Sequence, residues 1–169
     1  MKLSKDEISS LIALISEGDN INKYSLSTVL DKLKSNTNTY TMYVDGAADL
    51  HSKTAGIGGV IYKGSEELIT FSEYLDDSTN NEAEYESLIH GLKLLVNLSI
   101  LNVNIFSDSE LVVRQINGEY KVKNDRMNKL FQKTTSLLSG FENWTFTHVL
   151  RDKNKVADML ATEGRLKGK

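Results

Sequence analysis

The chain has 169 residues, 40% of them hydrophobic, which suffices for one ordinary domain with a core plus an extension. It has no cysteine, so disulfides and thiolate metal sites are excluded, and only carboxylates and three histidines remain as side-chain ligands. The net charge of −3 argues against a broad basic surface for nucleic acid; any such contact must be small or helped by cations.

Residues 1–39 read as a separate piece. In "SKDEISSLIALISEG", Ser4 suits a helix cap, Glu7 its capping-box partner and Gly18 the stop. "YSLSTVLDKLKSN" reads as a second short helix and "SNTNT" as a linker. The piece carries five basic and five acidic residues, so all of the negative charge lies in the remainder. Two short helices bury too little surface to stand alone. They are expected to cover apolar surface on the main domain, or to mediate dimerisation or contact with a partner. The apolar run "LIALI" is too short to span a bilayer and does not read as a signal peptide, so a cytoplasmic protein without membrane contact is expected.

From Tyr40 the pattern changes. "YTMYVDGAA" is rich in β-formers and reads as a strand ending in a turn. "AGIGGVIYKGSEELITFSEYL" reads as a hairpin turning near Lys63–Ser65. A helix follows from about Asn80 to Asn97. "LNVNIFSDS" is a strand, "ELVVRQING" a short helix closed by Gly118, and "DRMNKLFQKTTSLLSG" a longer one closed by Gly140. "WTFTHVL" is a strand and "NKVADMLATEGRL" a final helix. The order β-β-β-α-β-α-α-β-α predicts an α/β domain over residues 40–169, a mixed sheet with helices on its faces.

Four acids stand in conspicuous places. Asp45 follows "YTMYV" and precedes Gly46, which also suits a turn. Glu84 lies on the stripe of its helix that carries Leu88, Gly91, Leu92 and Leu95, although glutamate is rarely buried unpaired. Asp108 ends a strand and starts a helix, where it could serve as an N-cap. Asp158 sits between Ala157 and Met159, one turn before Ala161; small neighbours imply close approach of its helix to another element. Singly, each has a structural explanation. Together, if the sheet gathers them, their repulsion calls for cations, and hard divalent ions take oxygen ligands of this kind. Four carboxylates suit two ions arranged for in-line phosphoryl transfer.

"YVDGAA", "STNNEAEYESLIHGL", "IFSDSELVVRQING" and "HVLRDKNKVADMLA" resemble, in order and spacing, the motifs of ribonuclease H type 1. The resemblance runs from Tyr40 to about Arg165 and is nearest the compact archaeal, Gram-positive and plant-like form. It implies a ribonuclease H-like fold with a five-stranded mixed sheet. It also implies two-metal cleavage of the RNA strand of RNA/DNA hybrids, leaving 5′-phosphate and 3′-hydroxyl ends, with Mg²⁺ or Mn²⁺. Carried over by motif, Asp45, Glu84, Asp108 and Asp158 are the catalytic and metal-binding residues. Gly46, Ala47, Asn80 and Asn81 are the implied substrate contacts, the asparagines reading the hybrid's minor groove. Arg151 is the implied aid to product departure; His148 reads instead as a strand residue with a structural role.

Three departures stand out. His51 falls where many members carry asparagine, Glu110 adds a negative charge beside the substrate path, and the basic handle of larger bacterial enzymes is reduced to Lys121, Lys123 and Arg126. They leave a second reading open: an inactive ribonuclease H-like module that binds nucleic acid or acts as an adaptor.

Overall fold

The computed structural model describes residues 9–14 and 39–168. The chain forms two compact units, Met1–Thr39 and Tyr40–Lys169. In the first, residues 9–14 are helical. The rest of the expected first helix, the expected second helix and most of the linker lie outside the described residues.

The second unit is built on one five-stranded sheet. Its strands are β1 (Tyr40–Asp49), β2 (Thr54–Lys63), β3 (Glu66–Asp76), β4 (Asn102–Ser107) and β5 (Asn143–His148). Their spatial order is β3-β2-β1-β4-β5. β1 pairs antiparallel with β2, and β2 with β3 through the Gly64–Ser65 turn, while β4 is parallel to β1 and β5 parallel to β4. The helices are α1 (Asn80–Asn97), α2 (Glu110–Ile116), α3 (Asp125–Leu138) and α4 (Lys155–Leu166), the last preceded by a 3-10 turn at Arg151–Lys153. The predicted α/β class, element order and mixed sheet are those observed.

α1 starts where its sequence says it should. Thr79 is the N-cap and closes a capping box with Glu82: Thr79 N donates to Glu82 Oε2 at 2.9 Å and Glu82 N to Thr79 Oγ1 at 3.4 Å. Its buried stripe of Tyr85, Leu88, Leu92 and Leu95 packs in one core with Met42 and Val44 of β1 and Ile105 of β4. Gly91 belongs on that stripe because a Cβ there would lie 2.4 Å from Met42 Sδ.

The other face is set by glycines in β2. A Cβ on Gly56 would stand 2.1 Å from Arg165 N, and one on Gly58 2.1 Å from Ala161 N. Bare backbone at these positions lets α4 lie directly on the strand, against its own buried Ala157 and Ala161. This is the close approach that the small residues around Asp158 predict.

One local expectation needs correction. "YTMYVDGAA" does not end in a turn after Asp45. β1 continues to Asp49, with Asp45 opposite Gly58 and Gly46 opposite Ile57. Gly46 serves close packing rather than a bend, since a Cβ there would meet Ala83 C and Glu84 N at 2.3 Å. The turn comes later, at Leu50–Lys53, where Lys53 takes a positive φ of 51°.

Candidate active site

Asp45, Glu84, Asp108 and Asp158 come from β1, α1, the β4–α2 junction and α4, and all four line one cleft of about 770 Å³. The first two are buried, Asp45 at 5% and Glu84 at 7% exposure. Gly46 explains why Glu84 can be there: the first turn of α1 lies on bare β1 backbone, which seats the glutamate beside the aspartate. Asp108 is not a helix cap. Ser109 occupies the N-cap position of α2, and Asp108 Oδ1 accepts from Asn154 Nδ2 at 2.7 Å. Asp158 lies in the first turn of α4, where Arg151 Nε donates to its Oδ1 at 3.0 Å and Arg151 Nη2 reaches the same oxygen.

The gathering is electrostatically adverse. Burial pushes the Asp45 carboxyl from 3.8 up to about 8, helped by repulsion from Asp108 and Asp158. Burial also holds the Glu84 carboxyl well above its ordinary value, with Asp45 and Asp108 adding to the effect. Glu84 Oε2 is buried with no hydrogen-bond partner. A buried carboxylate oxygen left unpaired is what a bound cation would satisfy. The donor set is all oxygen, which suits Mg²⁺, Mn²⁺ or Ca²⁺ rather than a soft metal. Among the described residues no three acidic or imidazole groups already converge on a single point. Asp158 is turned to Arg151 and Asp108 to Asn154, so the oxygens are present but partly engaged by protein donors.

The expected substrate contacts divide. Gly46, Ala47 and Asn80 line the same cleft as the acids, and Asn80 is steadied by Ala48 N, which donates to its Oδ1 at 3.2 Å. Asn81 lines a neighbouring groove of about 480 Å³ with Lys121, Lys123 and Arg126. The asparagine pair therefore straddles two depressions, because adjacent residues on a helix point about 100° apart. Arg126 is already held by Glu82 at 2.8 Å, which ties the start of α3 to the cap of α1. His51 lines the acidic cleft. His148, at the end of β5, is exposed and lines none of these depressions.

Asn154 was passed over in the sequence. It is 1% exposed, and its Nδ2 bridges Val44 O at 3.0 Å and Asp108 Oδ1 at 2.7 Å. It links β1, the end of β4 and the start of α4, all three aspartate-bearing elements. Its only local signal was a polar residue before a helix, which reads as a cap. Arg165 was also unmarked; it lines the cleft and meets Asp49 Oδ2 at 3.4 Å.

A family model described as "Reverse transcriptase-like" matches residues 43–164. The chain is 31% identical over 122 residues to the Ribonuclease HI of Halobacterium salinarum, a match taking in 72% of this chain and 61% of that protein. It is 35% identical over 121 residues to a bifunctional protein of Mycobacterium tuberculosis, covering 70% of this chain and 33% of that one. The chain thus spans between a third and about three fifths of these curated relatives. Among solved structures, an LC11-RNase H1 isolated from compost, crystallised in complex with RNA/DNA hybrid, is 36% identical with a TM-score of 0.72. That alignment covers 77% of this chain and 99% of the other. With its five-stranded sheet and helices in the same arrangement, this chain belongs to the ribonuclease H type 1 family.

Proposed function

We propose that the chain is an endoribonuclease that hydrolyses the RNA strand of RNA/DNA hybrids to 5′-phosphate and 3′-hydroxyl ends, using two divalent ions, Mg²⁺ or Mn²⁺. The observation that carries this reading is the cleft itself: four carboxylates from four separate elements, two of them buried, with Glu84 Oε2 unpaired. Retaining such a group of like charges is unfavourable to the fold unless cations offset it. Family membership and a relative crystallised with an RNA/DNA hybrid support the substrate class.

Asp45, Glu84, Asp108 and Asp158 would hold the ions, which when bound polarise a phosphodiester and lower the pKa of a coordinated water. The rest of the work falls to this chain's own groups. Strand pairing with Gly58 fixes the Asp45 backbone, and Asn154 orients Asp108 while anchoring the strand at Val44. Asn80, with its Oδ1 occupied by Ala48 N, keeps its amide N–H groups for acceptors in the hybrid's minor groove. The Gly46–Ala47 backbone lines the cleft without bulky side chains, which suits contact with an RNA sugar and its 2′-hydroxyl. Asn81, from the adjoining groove with Lys121 and Lys123, would meet a different part of the duplex. Arg151 would assist product departure.

Residues 40–169 would form the catalytic domain, and residues 1–39 a helical extension that covers apolar surface or mediates dimerisation or protein contact. No helix among the described residues is long and apolar enough to cross a membrane; we place the protein in the cytoplasm. The test is cleavage of an end-labelled RNA/DNA hybrid with Mg²⁺ and, separately, Mn²⁺, beside Asp45→Asn. Loss of the RNA strand alone, abolished in the variant, is expected. Hybrid binding without cleavage in either metal would replace this reading with that of an inactive adaptor.

A further inference from the structure

Arg151 occupies a telling position. It opens the 3-10 turn that leads into α4, seven residues before Asp158. Two of its nitrogens converge on one carboxylate oxygen, Asp158 Oδ1. The guanidinium stands at the mouth of the cleft, within the fields of Asp45 and Asp108 as well as Asp158. The acid it engages, Asp158, is more exposed than the buried Asp45 and Glu84. The pair is open to water, the arginine side chain being 78% and the aspartate 31% exposed. Ion pairs this exposed are weak and readily exchanged. A forked guanidinium on a carboxylate nonetheless claims the same lone pairs a divalent ion would use.

We infer that Arg151 is a built-in counter-cation that competes with a divalent ion for Asp158, and so sets the metal affinity of the site. This rests on reading the cleft as a metal site. Arg151 is then a positioning residue: with no ion it holds Asp158 in place and offsets part of the repulsion among the acids, and it yields that oxygen when an ion binds. With two Arg151 N–H groups on Asp158 Oδ1, both lone pairs of that oxygen are engaged, so removing the arginine frees them for the ion.

Two physical effects must be separated. Deleting any nearby positive charge strengthens cation binding through the long-range field, whereas competition for Asp158 disappears once Asp158 cannot accept a salt bridge. The experiment is Mn²⁺ binding to the full chain, read from the free-ion electron paramagnetic resonance signal and by calorimetry. The proteins are wild type, Arg151→Ala, Arg151→Lys, Asp158→Asn and the Arg151→Ala/Asp158→Asn double variant, with folding checked by Trp144 fluorescence. Arg151→Ala should bind Mn²⁺ roughly three- to tenfold more tightly, the range expected for releasing one exposed ion pair. Arg151→Lys should stay near wild type. The gain should shrink to less than about twofold when Asp158→Asn is already present. Equal or weaker Mn²⁺ binding by Arg151→Ala, beside a wild type that binds Mn²⁺ and cleaves hybrid, would overturn this inference and leave the nuclease reading standing. So would an undiminished gain in the double variant, which would assign the effect to the field alone. Absence of saturable Mn²⁺ binding in both wild type and Arg151→Ala would overturn both.

Discussion

Asp45→Asn should make the metal-free protein more stable at neutral pH while abolishing cleavage. The Asp45 carboxyl has its pKa raised from 3.8 to about 8 by burial and by the neighbouring acids. The sign follows from proton linkage. The native state keeps this proton while the unfolded chain has released it, so the stabilising contribution is complete below about pH 4. It is lost as the pH rises toward 8 and then levels off. One extra bound proton corresponds to about 1.4 kcal/mol of stability lost per pH unit, or about 3 kcal/mol between pH 5 and 7. Asparagine has no such proton to hold and no charge to bury. Urea unfolding in EDTA at pH 5, 6 and 7, followed by the fluorescence of the single tryptophan Trp144, measures the difference directly. The wild type should lose stability with pH more steeply than Asp45→Asn, and the variant should be the more stable protein at pH 7. Adding millimolar Mg²⁺ at pH 7 should stabilise the wild type more than the variant, by linkage of ion binding to the folded state. Parallel pH dependences for the two proteins, or a variant that is less stable at pH 7, would refute the reasoning.

Gly58→Ala should destabilise the domain by about 3 kcal/mol or more in urea unfolding, because its Cβ would stand 2.1 Å from backbone Ala161 N and force α4 off the strand. Thr79→Ala should cost about 1 kcal/mol, the ordinary value for a lost N-cap, measured the same way. Asn154→Ala should cost about 1–3 kcal/mol, since Val44 O and Asp108 both lose a buried donor; it should also lower kcat in the hybrid cleavage assay. His148→Ala should leave the cleavage rate within about twofold of wild type, in keeping with an exposed side chain outside the cleft.

Local signals carried most of the element list. The stripe of Leu88, Gly91, Leu92 and Leu95 marked α1, which runs from Asn80 to Asn97. The glycines at the hairpin and after α2, together with alternating apolar residues, delimited the neighbouring elements. The buried position of Glu84 was equally visible, because helical periodicity alone puts it on the stripe of Leu88 and Leu92. The four acids could be nominated from the sequence, but each kept a structural explanation there.

Tertiary structure decided between those explanations, since each depends on what another element supplies. Asp45 looked like a turn residue until pairing with β2 carried β1 onward to Asp49. Asp108 looked like a cap until Asn154, 46 residues away, took its oxygen. Asn80 and Asn81 read as one pair, yet helix geometry turns them toward separate depressions. The glycines of β2 carry no local message about α4, because what they admit is a backbone more than 100 residues later. The sequence by itself determined which segments become strands and helices, as short-range periodicity and capping chemistry are written in neighbouring residues. The convergence of four like charges in one cleft, and the Arg151 and Asn154 contacts that hold two of them, arose only when the β3-β2-β1-β4-β5 sheet brought distant segments together.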